Sequence, residues 1–362
     1  MATMADVARL AGVSAATVSH VMNGTRPVLP HTRQAVLDAI DELGYTPNGL
    51  ARSLVTARTR SIGLAVSAIS NPYFTEILQG VEASALEHGY SLLIADPHDD
   101  PEHERKAVQL LHERRVDGLV VAPSADSDGL LAYLGRHAVP TVLLDRTVDA
   151  VADGMPRFDQ VCAENAEPMA ELVGHLTGLG HRRIGLVAGL PGLSTTEERV
   201  SGYRHGLAGA GLPYDERLLV HGDSATAGGE RATATLLSLA TPPTALVTAN
   251  NAMTIGALRA LREQGLSVPD DIALCSFDDF AWADLFSPRL TAIAQPSREM
   301  GARAVQVLLD RLADPDRPAR TVRLGCSFVH RTSCGCAEDS PARPTPPAPA
   351  PADRALLEGN RP

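Results

Sequence analysis

Aromatic side chains are scarce in this chain: they make up 4% of 362 residues, with a single tryptophan. A ring beside a polar cluster therefore stands out. Cysteine occurs five times, an odd number at irregular spacing, which excludes the paired framework of a small secreted protein. Cys162 and Cys275 stand in apolar settings. Cys334 and Cys336 could bind a metal or oxidise, but with no second pair and no histidine partner at zinc spacing, inert thiols and no metal are expected. No apolar run reaches the ~20 residues needed to span a bilayer, and no cationic segment followed by an apolar one opens the chain. A cytoplasmic protein without membrane contact is the expectation. Also lacking are a G-x-S-x-G elbow, H-E-x-x-H, a Walker loop and a G-x-G-x-x-G that opens a helix. Catalysis thus has no visible machinery, and no cofactor is implied. At 44% hydrophobic and 21% charged, the chain is still long enough for two or three packed domains, which excludes disorder throughout.

A net charge of −11 argues against a nucleic-acid partner until its distribution is considered. Residues 1–60 carry Arg9, Arg26, Arg33, Arg52, Arg58 and Arg60 against Asp6, Asp38, Asp41 and Glu42, a net of +2 that leaves −13 for the rest. Only this N-terminal piece can favour phosphate. Its segment "ADVARLAGVSAATVSHVMNG" reads as helix, tight turn, helix. Thr3 and Asp6 make a capping-box pattern that starts a helix near Met4, and Val7, Leu10 and Ala11 follow at helical spacing. Gly12 supplies a left-handed corner, Val13 plugs it, and Ser14 caps a second helix from Ala15 to about Met22. Ala8 lets the two axes approach, Val18 and Val21 face inward, and Ala15, Ala16, Thr17, Ser19 and His20 are left outside. Small residues at the start of a second helix let its backbone sink into a major groove, where hydroxyls and an imidazole reach base edges and phosphates. An ordinary helical hairpin would give the same pattern.

A third helix, with Val36, Leu37, Ile40 and Leu43 on one face, ends at Gly44 and leads into "YTPNGLARSLVTARTRSIGL". Here the chain resembles the bacterial LacI/GalR family of transcriptional regulators. The residues that carry the resemblance are the opening segment, "GYTPNGLARSL", "NPYFTEILQGVE", "LLDR", "ERVSGYRHGL", "ALVTANNAMTIGAL" and "FSPRLTAIAQP", in family order from about residue 3 to 337. The resemblance implies an N-terminal all-α helix-turn-helix domain over 1–46 and a hinge helix and linker over 47–60. It further implies an α/β two-lobed, periplasmic-binding-protein-like domain over 61–337. It makes the protein a regulator, a repressor, whose grip on a near-palindromic operator is controlled by a small molecule between the lobes. The implied DNA-contacting set is Thr3, Ser14, Ala15, Ala16, Thr17, Ser19, His20 and Asn23, joined by Ala51, Arg52 and Leu54 of the hinge. Leu54 matches the residue that wedges into a minor-groove step, and an aliphatic wedge there unstacks and kinks the duplex. A helix this short, weakened further by Gly49, is expected to order only on DNA. Ala15, Ala16 and His20 stand where longer readers are common in the family, so more of the specificity must come from Thr17, Ser19, His20 and DNA shape.

From Ser61 onward, aliphatic runs alternate with amphipathic helices: "SIGLAVSAI", "YSLLIAD", "VDGLVVAP", "VPTVLLD", "RRIGLVAGL", "RLLVHGD", "PTALVTAN" and "DIALCSFD". The pattern predicts parallel sheets, eight strands in two halves of four. Polar residues stand where the runs stop: Asp96, Ser124, Asp145 with Arg146, Asp223, Asn250 and Asp278. Ligands of such sheets bind beyond the carboxyl ends of the strands, in the crevice between halves. A sugar suits these groups. Asp145 and Asp278 accept paired hydroxyls, Arg146 and Arg199 donate in forks, Asn250 does both, and Tyr73, Phe74 and Trp282 offer apolar faces to a pyranose. The resemblance places residues matching Asp145, Arg146, Arg199, Asn250 and Asp278 in the effector pocket, with Tyr73 and Phe74 at its mouth. Where relatives often read Asn-Asp this chain has Asn250-Asn251, which removes a carboxylate. The cluster "HDDPEHER", His98 to Arg105, is expected to be a solvated helix cap rather than a metal site. "EDSPARPTPPAPAPADRALLEGNRP" is dense in Pro and Ala, and 338–362 is expected to be a disordered tail. It lacks leucine heptads, so the expected partner is one further copy, a homodimer. A sugar-binding transport protein and a sugar- or nucleoside-processing enzyme share the two-lobed body and stay open as alternatives.

Overall fold

Capping and small-residue packing build the N-terminal unit, Met1–Arg60, one of two units of the chain, the other being Ser61–Pro362. The computed structural model describes residues 2–24, 26–45, 58–67, 71–148 and 157–336. Residues 47–57 of the expected hinge and linker, with Ala51, Arg52 and Leu54, and the tail from 338 lie outside the described residues. Among the described residues, three helices form the first unit: α1 (Met4–Leu10), α2 (Ala15–Asn23) and α3 (Pro30–Leu43). Their common core is Val7, Ala8, Val18, Val36 and Ala39. The spacing 36, 39, 40, 43 marks the inner face of α3, and Leu37, which the sequence pattern put on it, is 39% exposed. Leu10, likewise expected inside, is 46% exposed, because Ala8 rather than Leu10 meets the neighbouring helix.

Among the described residues, the second unit contains twelve strands instead of eight, in two sheets of six. The eight expected runs become β1 (Ser61–Ala65), β2 (Ser91–Ala95), β3 (Gly118–Val121), β4 (Thr141–Leu144), β6 (Ile184–Ala188), β7 (Leu219–His221), β8 (Ala245–Thr248) and β9 (Ala273–Phe277). Four more pass unnoticed in the sequence: β5 (Asp159–Ala163), β10 (Thr291–Ala294), β11 (Thr321–Leu324) and β12 (Ser327–Val329). Each is short, and β5 hides behind Asp159 and Gln160, polar residues that are buried because Arg311, Arg317 and the Val148 backbone satisfy them. The sheet orders are β11-β5-β4-β3-β1-β2 and β12-β10-β9-β8-β6-β7, with every pairing parallel except β10 with β12. The lobes are therefore not consecutive halves. The chain passes between them three times, at Glu164–Asn165, Gln295–Pro296 and Gly325–Cys326.

Helices α4 (Pro72–Glu87), α5 (Pro101–Glu113), α6 (Asp128–Arg136) and α11 (Ser297–Ala313) belong to the first lobe. The second lobe has α7 (Ala166–Gly178), α8 (Ser194–Gly209), α9 (Thr226–Leu237) and α10 (Asn251–Glu263). Both lobes use glycine to bring helix backbones together. A Cβ at Gly80 of α4 would lie 2.0 Å from the Arg298 carbonyl oxygen of α11, and one at Gly202 of α8 would lie 2.2 Å from that of Ala166.

Candidate nucleic-acid interface and ligand cleft

In the first unit the turn is set by local hydrogen bonds. Thr3 and Asp6 form a full capping box, with the Thr3 backbone N–H donating to Asp6 Oδ2 at 2.9 Å and the Asp6 N–H to Thr3 Oγ1 at 3.3 Å. Gly12 takes φ +65°, the left-handed corner, and the Val13 N–H closes onto the Ala8 carbonyl. Ser14 caps α2 by accepting from the Thr17 N–H at 3.1 Å, and the two hydroxyls lie 2.9 Å apart. Val18 is fully buried and Val21 half-buried, while Ala15 and Ala16 are exposed and Thr17, Ser19 and His20 half-buried. The start of α2 thus shows a low surface of methyl groups and hydroxyls that another molecule's groove could accept. Asn23 is the last residue of α2.

In the second unit equivalent strands end in equivalent devices. Asp145 follows β4 at φ +68° and Asp278 follows β9 at φ +73°, and β4 and β9 occupy the same place in the two sheet orders. Beyond β2, His98 and Asp99 have positive φ, and beyond β7 so do Asp223 and Ser224. Left-handed backbone at non-glycine residues costs of order 1 kcal/mol or more each and collects at ligand sites. Both acids are nearly inaccessible, at 5% and 3% exposure, and burial pushes both carboxyls above the usual carboxylate range. The Tyr73 hydroxyl donates to Asp145 and also lies 3.3 Å from Gln295 Oε1. Burial above all, then the two carboxylates, holds the Tyr73 phenol well above its ordinary value. Arg146 pairs with Asp99 and donates to the Pro123 carbonyl. Arg199, on α8, donates to Asn165 Oδ1 at 2.8 Å and to the Ala249 carbonyl, lies 3.9 Å from Asp278, and stacks 3.8 Å over the Phe277 ring. Gln295 Nε2 donates to Asp278.

Tyr73, Phe74, Asp145, Arg146, Arg199, Asn250 and Asp278 all line one crevice between the lobes. Trp282 does not: it is 46% exposed and packs edge to face on Phe280, so it is not among the residues the fold brings together. Asn250 caps α10, accepting from the Met253 N–H, and donates to the Ser224 carbonyl. The lobes are tied across the crevice by Asn251 Nδ2 to Asn71 Oδ1 at 2.8 Å and by the Thr147 N–H to Ser194 Oγ at 2.8 Å. The space left is about 50 Å³, enough for a few waters and far below the roughly 300 Å³ at which ligand pockets begin. A wider hollow of about 610 Å³ adjoins it and shares Arg146 and Leu193. Among the described residues, Arg146 Nε and Asn251 Oδ1 are buried polar atoms without a hydrogen-bond partner.

Sequence reasoning missed Asn71, Asp99, Thr195, Thr196 and Ser224, which also line the crevice, and Gln295, which joins its acids. Asp99 and Ser224 carry the one usable signal, since each stands just past a strand end. The expected cap "HDDPEHER" is a helix start, with Asp100 accepting from the His103 N–H at 2.8 Å. Glu104 is the exception to its solvated character: it is fully buried, and both its oxygens accept from Ser124.

A family model described as bacterial regulatory proteins, lacI family, matches residues 3–48, and one described as a periplasmic binding protein-like domain matches 173–334. The chain is 36% identical over 336 residues to the HTH-type transcriptional repressor PurR of Aliivibrio fischeri strain MJ11, covering 92% of this chain and 98% of that one. Among solved structures it is similar to a transcriptional regulator CelR–cellobiose complex, at TM-score 0.70 and 33% identity over 92% of this chain and 100% of the other. The Lac repressor dimer bound to operator and the anti-inducer ONPF superposes at TM-score 0.81 and 29% identity, over 92% and 99% of the two chains.

Proposed function

Because the chain belongs to the LacI family, and is thus a DNA-binding transcriptional repressor with an effector-binding body, we propose that its effector is a sugar held in the crevice between the lobes. The observation that carries this reading is the lining: two buried acids, two buried guanidiniums, Asn250, Thr195, Thr196 and Ser224 converge on one space. Such a set pairs with the many hydroxyls of a sugar. Asp145, Arg146, Arg199, Asn250 and Asp278 bond the hydroxyls, Tyr73 and Phe74 close the mouth, and the orphaned Arg146 Nε gains an acceptor. A planar heterocycle fits less well, because the two rings lining the crevice pack edge to face on each other at 5.0 Å and offer no open platform. Trp282 meets the ligand only if the loop that bears it moves.

The crevice is too narrow for a sugar ring, so binding opens the lobes about the three crossings. That motion changes the first lobe's presentation to the hinge over 47–60, the coupling being ordinarily worth ~1–3 kcal/mol between effector and DNA. On DNA, Ser14, Ala15, Ala16, Thr17, Ser19, His20 and Asn23 face the major groove, Thr3 meets the backbone, and Ala51, Arg52 and Leu54 meet the minor groove. One such head makes few contacts, so two copies of the chain act as a homodimer on a near-palindrome. No described helix is long and apolar enough to cross a membrane; the protein works in the cytoplasm, binds without catalysis, and its domains divide near 46, 60 and 337.

The test is fluorescence anisotropy of the purified protein on DNA upstream of its own gene, against scrambled DNA, at two salt concentrations, with a panel of sugars and nucleobases. Selective, salt-sensitive binding altered by one sugar is the expected result. Selective binding altered by a nucleobase and by no sugar overturns the effector assignment, and a chain that turns its ligand over is an enzyme.

A further inference from the structure

Four ligand-type side chains meet in the second lobe, apart from the crevice residues. His175 projects from α7, and His330, Cys334 and Cys336 come from the segment that follows β12. One donor atom of each lies within 4.8 Å of all the others. His330 Nε2 is 3.5 Å from Cys334 Sγ, and His175 Nε2 is 3.8 Å from Cys336 Sγ. Zn–S bonds of ~2.3 Å and Zn–N bonds of ~2.0–2.1 Å at a tetrahedral angle put sulfur and nitrogen ~3.6 Å apart, so these two separations already match tetrahedral edges. From these four groups we propose a structural zinc site of the Cys2His2 type that fastens the end of the two-lobed body to α7.

The donor set selects the metal. Two thiolates and two imidazoles suit Zn(II) and exclude hard cations such as magnesium and calcium, which take oxygen ligands. Four protein ligands fill a tetrahedron and leave no open position, so the metal's work is to hold the fold together. Cys334 is fully buried and the other three are half-buried, a setting that shields a bound ion while leaving Cys336 a path for its entry. The surroundings are built as well. Thr291 Oγ1 donates toward Cys334 Sγ at 3.3 Å, the type of outer hydrogen bond that steadies a metal thiolate. Ser333 pins the loop between the ligands through Oγ to the Leu274 carbonyl and through its N–H to the Arg289 carbonyl. Sequence spacing hid the site because one ligand is supplied by a helix far back in the chain and the other three by a span of seven residues. Two thiol protons leave as the metal binds, so affinity rises with pH.

The experiment uses the full chain without an affinity tag, stripped with a chelator under reducing conditions and titrated with cobalt(II). Saturation at one cobalt per chain is expected, with the visible d–d and near-ultraviolet thiolate-to-metal bands of a tetrahedral site, displaced by zinc. Cys336→Ser and His175→Asn should each abolish or shift these bands, while Cys162→Ser, at a buried thiol of the other lobe, keeps them. A folded, reduced wild-type protein that gives no saturable bands overturns the proposal, as do bands that survive both ligand substitutions. If the variants do not fold, alkylation of the wild-type protein decides: zinc should block modification of Cys336, and equal modification with and without zinc refutes the site.

Discussion

In the first lobe the buried acid Asp145 has its cation next to it in the chain, whereas in the second lobe Asp278 depends on Arg199 from a distant helix. The two lobes otherwise follow one plan: the same order of central strands, an aspartate at positive φ past the equivalent strand, and helices packed through glycine. The difference lies in what else each cation holds. Arg146 pairs with Asp99, whose side chain is 23% exposed and can rehydrate. Arg199 bonds the fully enclosed Asn165 at the first crossing and the Ala249 backbone, while Gln295, at the second crossing, bridges Asp278 and Tyr73. The second lobe's acid is thus bonded directly to Gln295 at a crossing, whereas the first lobe's acid reaches Gln295 only through the Tyr73 hydroxyl. A ligand that takes over the partners of Asp278 acts on the crossings directly.

The largest test of this contrast compares Arg199→Met with Arg146→Met by thermal unfolding. Breaking a buried pair costs about 3–5 kcal/mol, and because Asp278 can take up a proton the lower end is expected, a fall in Tm of about 6–12 °C. Arg146→Met should cost about half as much, since water reaches Asp99. Equal losses would remove the distinction between the lobes.

Next in size is Asn251→Asp, which introduces a carboxylate beside the crevice. Asn251 Nδ2 donates to Asn71 Oδ1 across the crevice, and a carboxylate cannot donate. An acceptor left facing an acceptor costs about 1–3 kcal/mol, and the new charge repels Asp278. The lobes should open, read as a larger radius of gyration in small-angle scattering at neutral pH and recovery of the closed value in acid. An unchanged radius at both pH values would mean that the tie carries no closing energy.

The same contrast explains how much was legible beforehand. Strand ends were readable because apolar runs stop at polar residues, and this located Asp145, Arg146, Asn250 and Asp278 without any knowledge of the topology. The crossings were not readable: β5 opens on Asp159 and Gln160, β11 sets Arg323 among its apolar residues, β12 opens on Ser327, and Gln295 belongs to no periodic pattern. Trp282 was singled out for its rarity, yet a ring is drawn to other rings, and Phe280 holds it outside the crevice. In the head, Ser14 and Gly12 were legible because capping and left-handed turns are local, while Leu10 of α1 and Leu37 of α3 misled because hydrophobicity alone does not say which side of a helix is covered. The metal-type cluster was half legible: Cys334 and Cys336 stood out, but only the fold brings His175 to them.

A smaller effect follows from the raised carboxyl pKa values of Asp145 and Asp278, whose cause is burial. A carboxyl with a raised folded pKa binds its proton more readily folded than unfolded. Its contribution is fully present below the ordinary value of 3.8 and is lost as pH rises through the folded value. Acids held by cations, such as the half-buried Asp215, which the Arg217 side chain lowers to about 2, contribute in the opposite sense, so the difference between wild type and Asp278→Asn is the quantity to follow. The wild type should lose stability relative to the variant as pH rises from 3.8 upward. A flat difference would mean that Arg199 and Gln295 compensate fully for burial.

The smallest expected change in stability, and the most telling about the crevice, is that of Ser194→Ala. Ser194 Oγ accepts the Thr147 N–H and ties the lobes beside the wider hollow. Losing this single neutral hydrogen bond costs about 1 kcal/mol. If ligand binds the opened form, the energy no longer spent on breaking the tie returns as affinity, and about 1 kcal/mol is roughly a fivefold lower apparent Kd. Calorimetric titration with the sugar found in the operator assay should show that gain together with a fall in Tm of only about 2–4 °C. A weaker Kd would mean instead that Ser194 touches the ligand and that the closed arrangement is the one that binds.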